Sequence, residues 1–200
     1  VNCGAEIGVV SPLLHSHFAE HLGSCIYGGL WVGRNSKIPN INGYRTQAVE
    51  WLKELGVPVL RWPGGCFADG YHWRDGIGPV EKRRRIVNAS WGGYVEDNSF
   101  GTHEFIGLCR LIGSEPYLAG NMGSGSPEEM QSWMEYCNYP AGSTLSDERI
   151  AEVFHRIPGT DTLTKFIIDK GYCNEAFVWG FRNIKRIIFS PGPISHRCKN

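Results

Sequence analysis

The chain has 200 residues, enough for one domain with a sizeable core. At 42% hydrophobic and 20% charged residues it belongs with globular rather than disordered proteins. Lys+Arg and Asp+Glu balance at 20 each, which excludes a general attraction to nucleic acid or to an anionic membrane surface.

The opening, VNCGAEIGVV, has neither the basic segment nor the long apolar stretch of a signal peptide, and no Met begins it. It is therefore expected to be processed, excised or part of a longer chain. VVSPLL is strand-like, and HSHFAEHLG follows it. Glu20, between Phe18 and Leu22, would there either accept hydrogen bonds from sugar hydroxyls or serve as a helix-start acid favoured by the macrodipole. His15 and His17 are the nearest approach to a metal-ligand pair. They read better as neighbours on one side of a strand or loop, and no metal site is expected.

Residues 44–55, YRTQAVEWLKEL, read as a helix with Ala48, Trp51, Leu52 and Leu55 on one stripe, Asn42 as cap, Gly56 as stop and Pro58 beyond. VPVLRW at 57–62 reads as a strand. It ends on Arg61, and a buried arginine costs several kcal/mol unless it is satisfied. Two readings stand: Arg61 orients a catalytic or sugar-binding carboxylate, or it makes a structural ion pair. The loop 63–101 carries glycines beside aromatics (WPGGCF, WGGY), as does the earlier YGGLW. Flat rings stack on sugar faces and glycines let the backbone approach, so this pattern suits a carbohydrate cleft, although most of the seven Trp are expected in the core. EKRRR at 81–85 reads as a solvated loop rather than a phosphate contact.

Residues 102–112, THEFIGLCRLI, read as a second helix with Thr102 as N-cap, His103 and Glu104 in the first turn, and Gly113 as stop. PYLAGN at 116–121 is a second strand, ending at Asn121. GNMGSGS lacks the GK[ST] of a phosphate loop, and GSGSP does not match GxSxG. A third helix starts at Ser126, where Ser-Pro-Glu-Glu forms a capping box with Pro at the first helical position. The rhythm of strand, loop, helix, short turn and strand is that of a parallel α/β sheet. Function in such sheets gathers on the loops after strand ends, which places Arg61, Trp62, Cys66 and Asn121 on one rim. From about residue 150 this rhythm is lost and basic residues exceed acidic ones, which marks 150–200 as a divergent tail. The seven cysteines form no CxxC pair, which points to a reducing, cytoplasmic setting.

HFAEHLGSCIYGGLWVG, IPNINGYR, LKELGVPVLRWPGGCFADGYHWRDGIGP, NSFGTHEF and EPYLAGNMGSG together resemble the α-L-arabinofuranosidases of glycoside hydrolase family 51, over about residues 5–149. The resemblance implies a (β/α)8 barrel of which this chain would hold the first three or four βα units. It also implies retaining hydrolysis of terminal arabinofuranosyl groups from arabinan or arabinoxylan oligosaccharides, without metal or organic cofactor. By the same resemblance Glu20 and Arg61 line the arabinose subsite, Phe18 and Cys66 are neighbours in it, and Trp91 contacts the next sugar. Asn121 lies at the end of the second strand. The GNEN-type acid/base motif and the nucleophile motif are missing, and Asn174-Glu175 makes Glu175 the candidate acid/base. A chain so cut is expected to leave a strand edge open and to self-associate. No nucleic-acid or membrane partner is expected.

Overall fold

A computed structural model describes residues 4, 8–156 and 177–179. Four parallel strands form the main sheet in the order β1-β4-β7-β8: β1 (His17–Phe18), β4 (Val59–Trp62), β7 (Glu115–Ala119) and β8 (Phe177–Trp179). Two small antiparallel hairpins stand beside it, β2 (Asn40–Ile41) with β3 (Tyr44–Arg45), and β5 (Ile86–Asn88) with β6 (Tyr94–Glu96). The helices are α1 (Thr46–Leu55), α2 (Thr102–Ile112), α3 (Pro127–Asn138) and α4 (Thr144–Arg156). The expected α/β architecture with a parallel sheet is present. The tail contributes β8, which pairs in parallel with β7, although its sequence showed no strand rhythm.

Helix boundaries follow local chemistry. Gly56 and Gly113 close α1 and α2 in the left-handed conformation, with φ of 60° and 78°. Ser126 caps α3 by accepting from the Glu129 N–H at 3.2 Å. Two expected caps fall elsewhere. Asn42 sits at φ 54° in the turn between β2 and β3, and Arg45 precedes α1. Thr102 is already helical, Gly101 is the N-cap, and Glu104 reaches back to accept the Gly101 N–H at 3.0 Å. VVSPLL is not a strand either, because Pro12–His15 forms a 3-10 turn and the strand starts at His17. α4 runs unbroken through residues 149 and 150, so the change in charge balance there does not mark an end of structure.

The two faces of the sheet differ. On β4, Leu60 and Trp62 point to the helices and Arg61 to the opposite side, as strand alternation requires. Trp62 is fully buried, with Phe105 of α2 stacked on it at 5.2 Å and Tyr71, Phe100 and Trp133 within 6.2 Å. It is a core residue and not part of the rim. The α1 stripe is also rotated from the expected one: Val49 is buried, while Trp51 and Leu55 are exposed. On the other face Phe18, Arg61 and Tyr117 lie side by side in register across β1, β4 and β7.

EKRRR divides. Lys82, Arg84 and Arg85 are exposed, but Arg83 is buried and forks onto the Glu104 carboxylate at 3.1–3.2 Å, also donating to the Gly78 and Asn98 carbonyls. The solvated-loop reading fails for Arg83 because Glu104, buried in the first turn of α2, needs a cation beside it. Removing one partner strands the other charge. Glu104→Gln should destabilise the fold by roughly 3 kcal/mol, read as a lower urea midpoint with an unchanged slope.

Candidate functional site

The site begins where β1 ends. The parallel ladder continues past the strand, with the Ala19 N–H donating to the Arg61 carbonyl at 2.7 Å and the His21 N–H to the Pro63 carbonyl at 3.2 Å. This fixes Glu20 beside the turn after β4. Trp62–Pro63 is a cis peptide, and Gly64 follows at φ 145°. A Cβ on Gly64 would meet Glu20 Cγ at 2.3 Å, so only glycine lets the turn close on the carboxylate.

Three donors converge on one oxygen. Glu20 Oε1 accepts from the Gly65 N–H, the Phe67 N–H and the Trp91 indole N–H, each at 3.1 Å. Among the described residues Oε2 takes no hydrogen bond. Burial pushes the Glu20 carboxyl up, but the donors on Oε1 and the nearby Arg61 charge outweigh it, and it lies below its ordinary value of 4.5.

Arg61 sits on the same rim. Its Nη2 donates to the Gly64 carbonyl at 2.9 Å, and its guanidinium lies over the rings of Phe18 and Tyr117 at 5.7 and 5.8 Å. Its Nε is buried and has no partner among the described residues. The two sequence readings of Arg61 were carboxylate orientation and an ion pair. The described residues give it no ion pair; it helps lower Glu20 by charge and holds the turn through Gly64.

Phe18, Glu20, Arg61 and Trp91 are therefore brought together. Cys66 is exposed in the same turn, and its carbonyl accepts from Ser90 Oγ at 3.4 Å, linking the turn to the β5–β6 loop. Asn121 is occupied otherwise. Its Oδ1 accepts the N–H groups of Gly123, Ser124 and Gly125, and its Nδ2 donates to the Tyr71 carbonyl and Ser124 Oγ. It organises the loop after β7 and has no amide hydrogen bond left for Glu20 or Arg61. Glu175 lies outside the described residues. His15 and His17 fall in different elements, and no group of three or more metal-ligating side chains occurs among the described residues. Sequence reasoning missed His21, Asn88 and Glu96, which surround the Trp91 loop. Their partners lie 67 and 75 positions apart in the chain, and no local pattern announces them.

The model of the family described as alpha-L-arabinofuranosidase 1 domain matches residues 51–158. An intracellular exo-alpha-L-arabinofuranosidase of Bacteroides ovatus is 60% identical over 141 residues, which are 70% of this chain and 27% of that protein. The crystal structure of a GH51 arabinofuranosidase from Xanthomonas axonopodis pv. citri is 54% identical with a TM-score of 0.69, covering 70% of this chain and 28% of its own. An α-L-arabinofuranosidase from Thermotoga maritima, solved as an arabinose complex, is 44% identical with a TM-score of 0.66, covering 69% of this chain and 28% of its own. The chain belongs to the glycoside hydrolase family 51 α-L-arabinofuranosidases. It spans about a quarter of the length of the relatives it matches.

The lowered Glu20 carboxyl has a sign that can be checked. A depressed group stabilises the fold fully above its ordinary value, and that contribution is lost as pH falls through the folded value. In a carboxyl carbon NMR titration Glu20 should titrate below 4.5. Trp91→Phe, which removes one donor, should move that midpoint upward.

Proposed function

We propose that this chain supplies the arabinose-binding rim of a family 51 glycosidase. The whole protein would release terminal α-L-arabinofuranosyl groups from arabinan or arabinoxylan oligosaccharides. One observation carries the reading: Glu20 is locked through Oε1 with Oε2 left over, beside an Arg61 whose buried Nε has no partner among the described residues. The Oε2 of Glu20 and the guanidinium end of Arg61 on one lip suit adjacent hydroxyls of a furanose ring, and Phe18 and Trp91 offer apolar surface to its faces. No cofactor is needed for this recognition.

The fold we infer is a partial (β/α)8 barrel. Adjacent strands follow in chain order, and α1, α2 and α3 send Val49, Phe105 and Trp133 into one core with Leu60 and Trp62, which supports a barrel over a doubly wound sheet. The divergent segment from about residue 150 onward would then start within α4. Retaining hydrolysis needs two carboxyl groups about 5–5.5 Å apart. The sequence has no GNEN-type motif, so we infer that this chain alone binds sugar without cleaving it, with Glu175 as the one acid/base candidate to test. An intracellular setting is supported by the free thiols of Cys25, Cys66, Cys109 and Cys137 and by the name of the Bacteroides ovatus relative. Among the described residues no helix is long and apolar enough to cross a membrane. Among the described residues β1 is a sheet edge, and its exposed Phe18 favours self-association.

Calorimetry with arabinofuranosyl oligosaccharides should show binding, weakened about 10- to 100-fold by Glu20→Gln or Arg61→Met, the loss of a charge-assisted hydrogen bond. No heat from the wild-type chain at millimolar sugar would overturn the reading. Hydrolysis of a nitrophenyl arabinofuranoside, abolished by Glu175→Gln, would instead establish Glu175 as acid/base.

A further inference from the structure

Trp91 closes on Glu20 from a hairpin with little else to hold it. β5 and β6 have three residues each, and Val87, Tyr94 and Val95 on them are about two-thirds exposed. A two-stranded hairpin of this size is marginal in water by itself. What fixes its base is buried. Asn88 and Glu96, at the two ends of the hairpin, are almost fully covered, as is His21 beneath them.

The hydrogen bonds of this cluster can be assigned by elimination. The Trp62 indole only donates, so at 3.0 Å it must donate to His21 Nε2, and the imidazole proton lies on Nδ1. His21 Nδ1–H then donates to Glu96 Oε2 at 3.2 Å. Glu96 Oε1 accepts from Asn88 Nδ2 at 2.7 Å, and the same amide nitrogen donates to the His21 carbonyl at 2.7 Å. Both amide hydrogens of Asn88 are then used, which turns its Oδ1 toward the Trp91 N–H at 3.1 Å. A flipped amide would set oxygen against two acceptors, so the orientation is determined. The chain of bonds runs from the core indole of Trp62 to the backbone of Trp91, whose side chain donates to Glu20.

We propose that His21, Asn88 and Glu96 are positioning residues that fix the β5–β6 hairpin and hold Trp91 against Glu20. Both Glu96 partners are donors, so two acceptor oxygens are required, and a glutamine in its place must face one of them with an N–H₂ group. The ring of His21 is further pinned by Phe67, stacked at 4.4 Å, and the backbone N–H of Phe67 is one of the three donors to Glu20. The same residues thus brace two of the three bonds on Oε1. The role in sugar binding rests on the function proposed above; the mechanical role does not.

Hydrogen exchange of the indole N–H groups, followed by nitrogen-15 NMR of the whole chain, tests this. In the wild type the Trp91 indole, assigned by its loss in Trp91→Phe, should be protected to the same order as that of Trp62. Exchange of Trp91 at the rate of an exposed side chain, with Trp62 protected, would overturn the proposal without any further variant. Glu96→Gln and Asn88→Ser should raise Trp91 exchange roughly tenfold or more while leaving the Trp73 and Trp133 indoles unchanged. Folded variants with an unmoved Trp91 signal would equally overturn it. Where the wild type binds arabinofuranosyl oligosaccharide, the same variants should weaken it at least several-fold. Where it does not, the sugar-binding reading falls and the exchange measurement still decides the positioning role.

Discussion

The arrangement depends on one buried carboxylate oxygen that accepts three hydrogen bonds. Glu20 Oε1 receives two N–H groups from the turn after β4 and one from the β5–β6 loop, so three segments that are distant in the chain meet at a single atom. A carboxylate buried this far costs free energy unless its charge is met by donors. Backbone N–H groups meet it without bringing a counter-charge. The turn after β4 can present its donors only because Gly64 leaves room for the Glu20 side chain. The tight backbone of WPGGCF is thus a consequence of the carboxylate it encloses.

This arrangement is positioned by a division of labour between the two faces of the sheet. Leu60 and Trp62 anchor β4 into the helix-side core, while Arg61 between them faces the other way. A strand held by aromatic packing on one side can present a charged residue on the other without being drawn out of register. Trp62 also serves both sides of the problem: it packs against Phe105 and donates to His21. The rim therefore inherits the rigidity of the core through one indole N–H.

Much of this was legible in the sequence where the cause is local. Helix stops at Gly56 and Gly113 and the cap at Ser126 are decided within one turn of chain, and the structure places all three as read. The rim position of Arg61 followed from the asymmetry of loop lengths before and after the strands. Errors arose where a distant partner decides. Trp62 read as a rim residue because nothing nearby in sequence says that α2 and α3 will cover it. Arg83 read as solvated because Glu104 lies 21 residues away. His21 and Glu96 carry no motif at all, since their meaning exists only once the β5–β6 hairpin folds back over the end of β1.

Among the described residues, the sheet face that carries Phe18, Arg61 and Tyr117 is less covered than the face packed by the helices. These side chains align across three strands, yet Phe18 remains about 60% exposed. A guanidinium Nε buried without a partner among the described residues carries a cost of about 1–3 kcal/mol until another group accepts from it. Arg61 is thus held by a ring on either side and by one carbonyl, with one N–H still to be matched among the described residues.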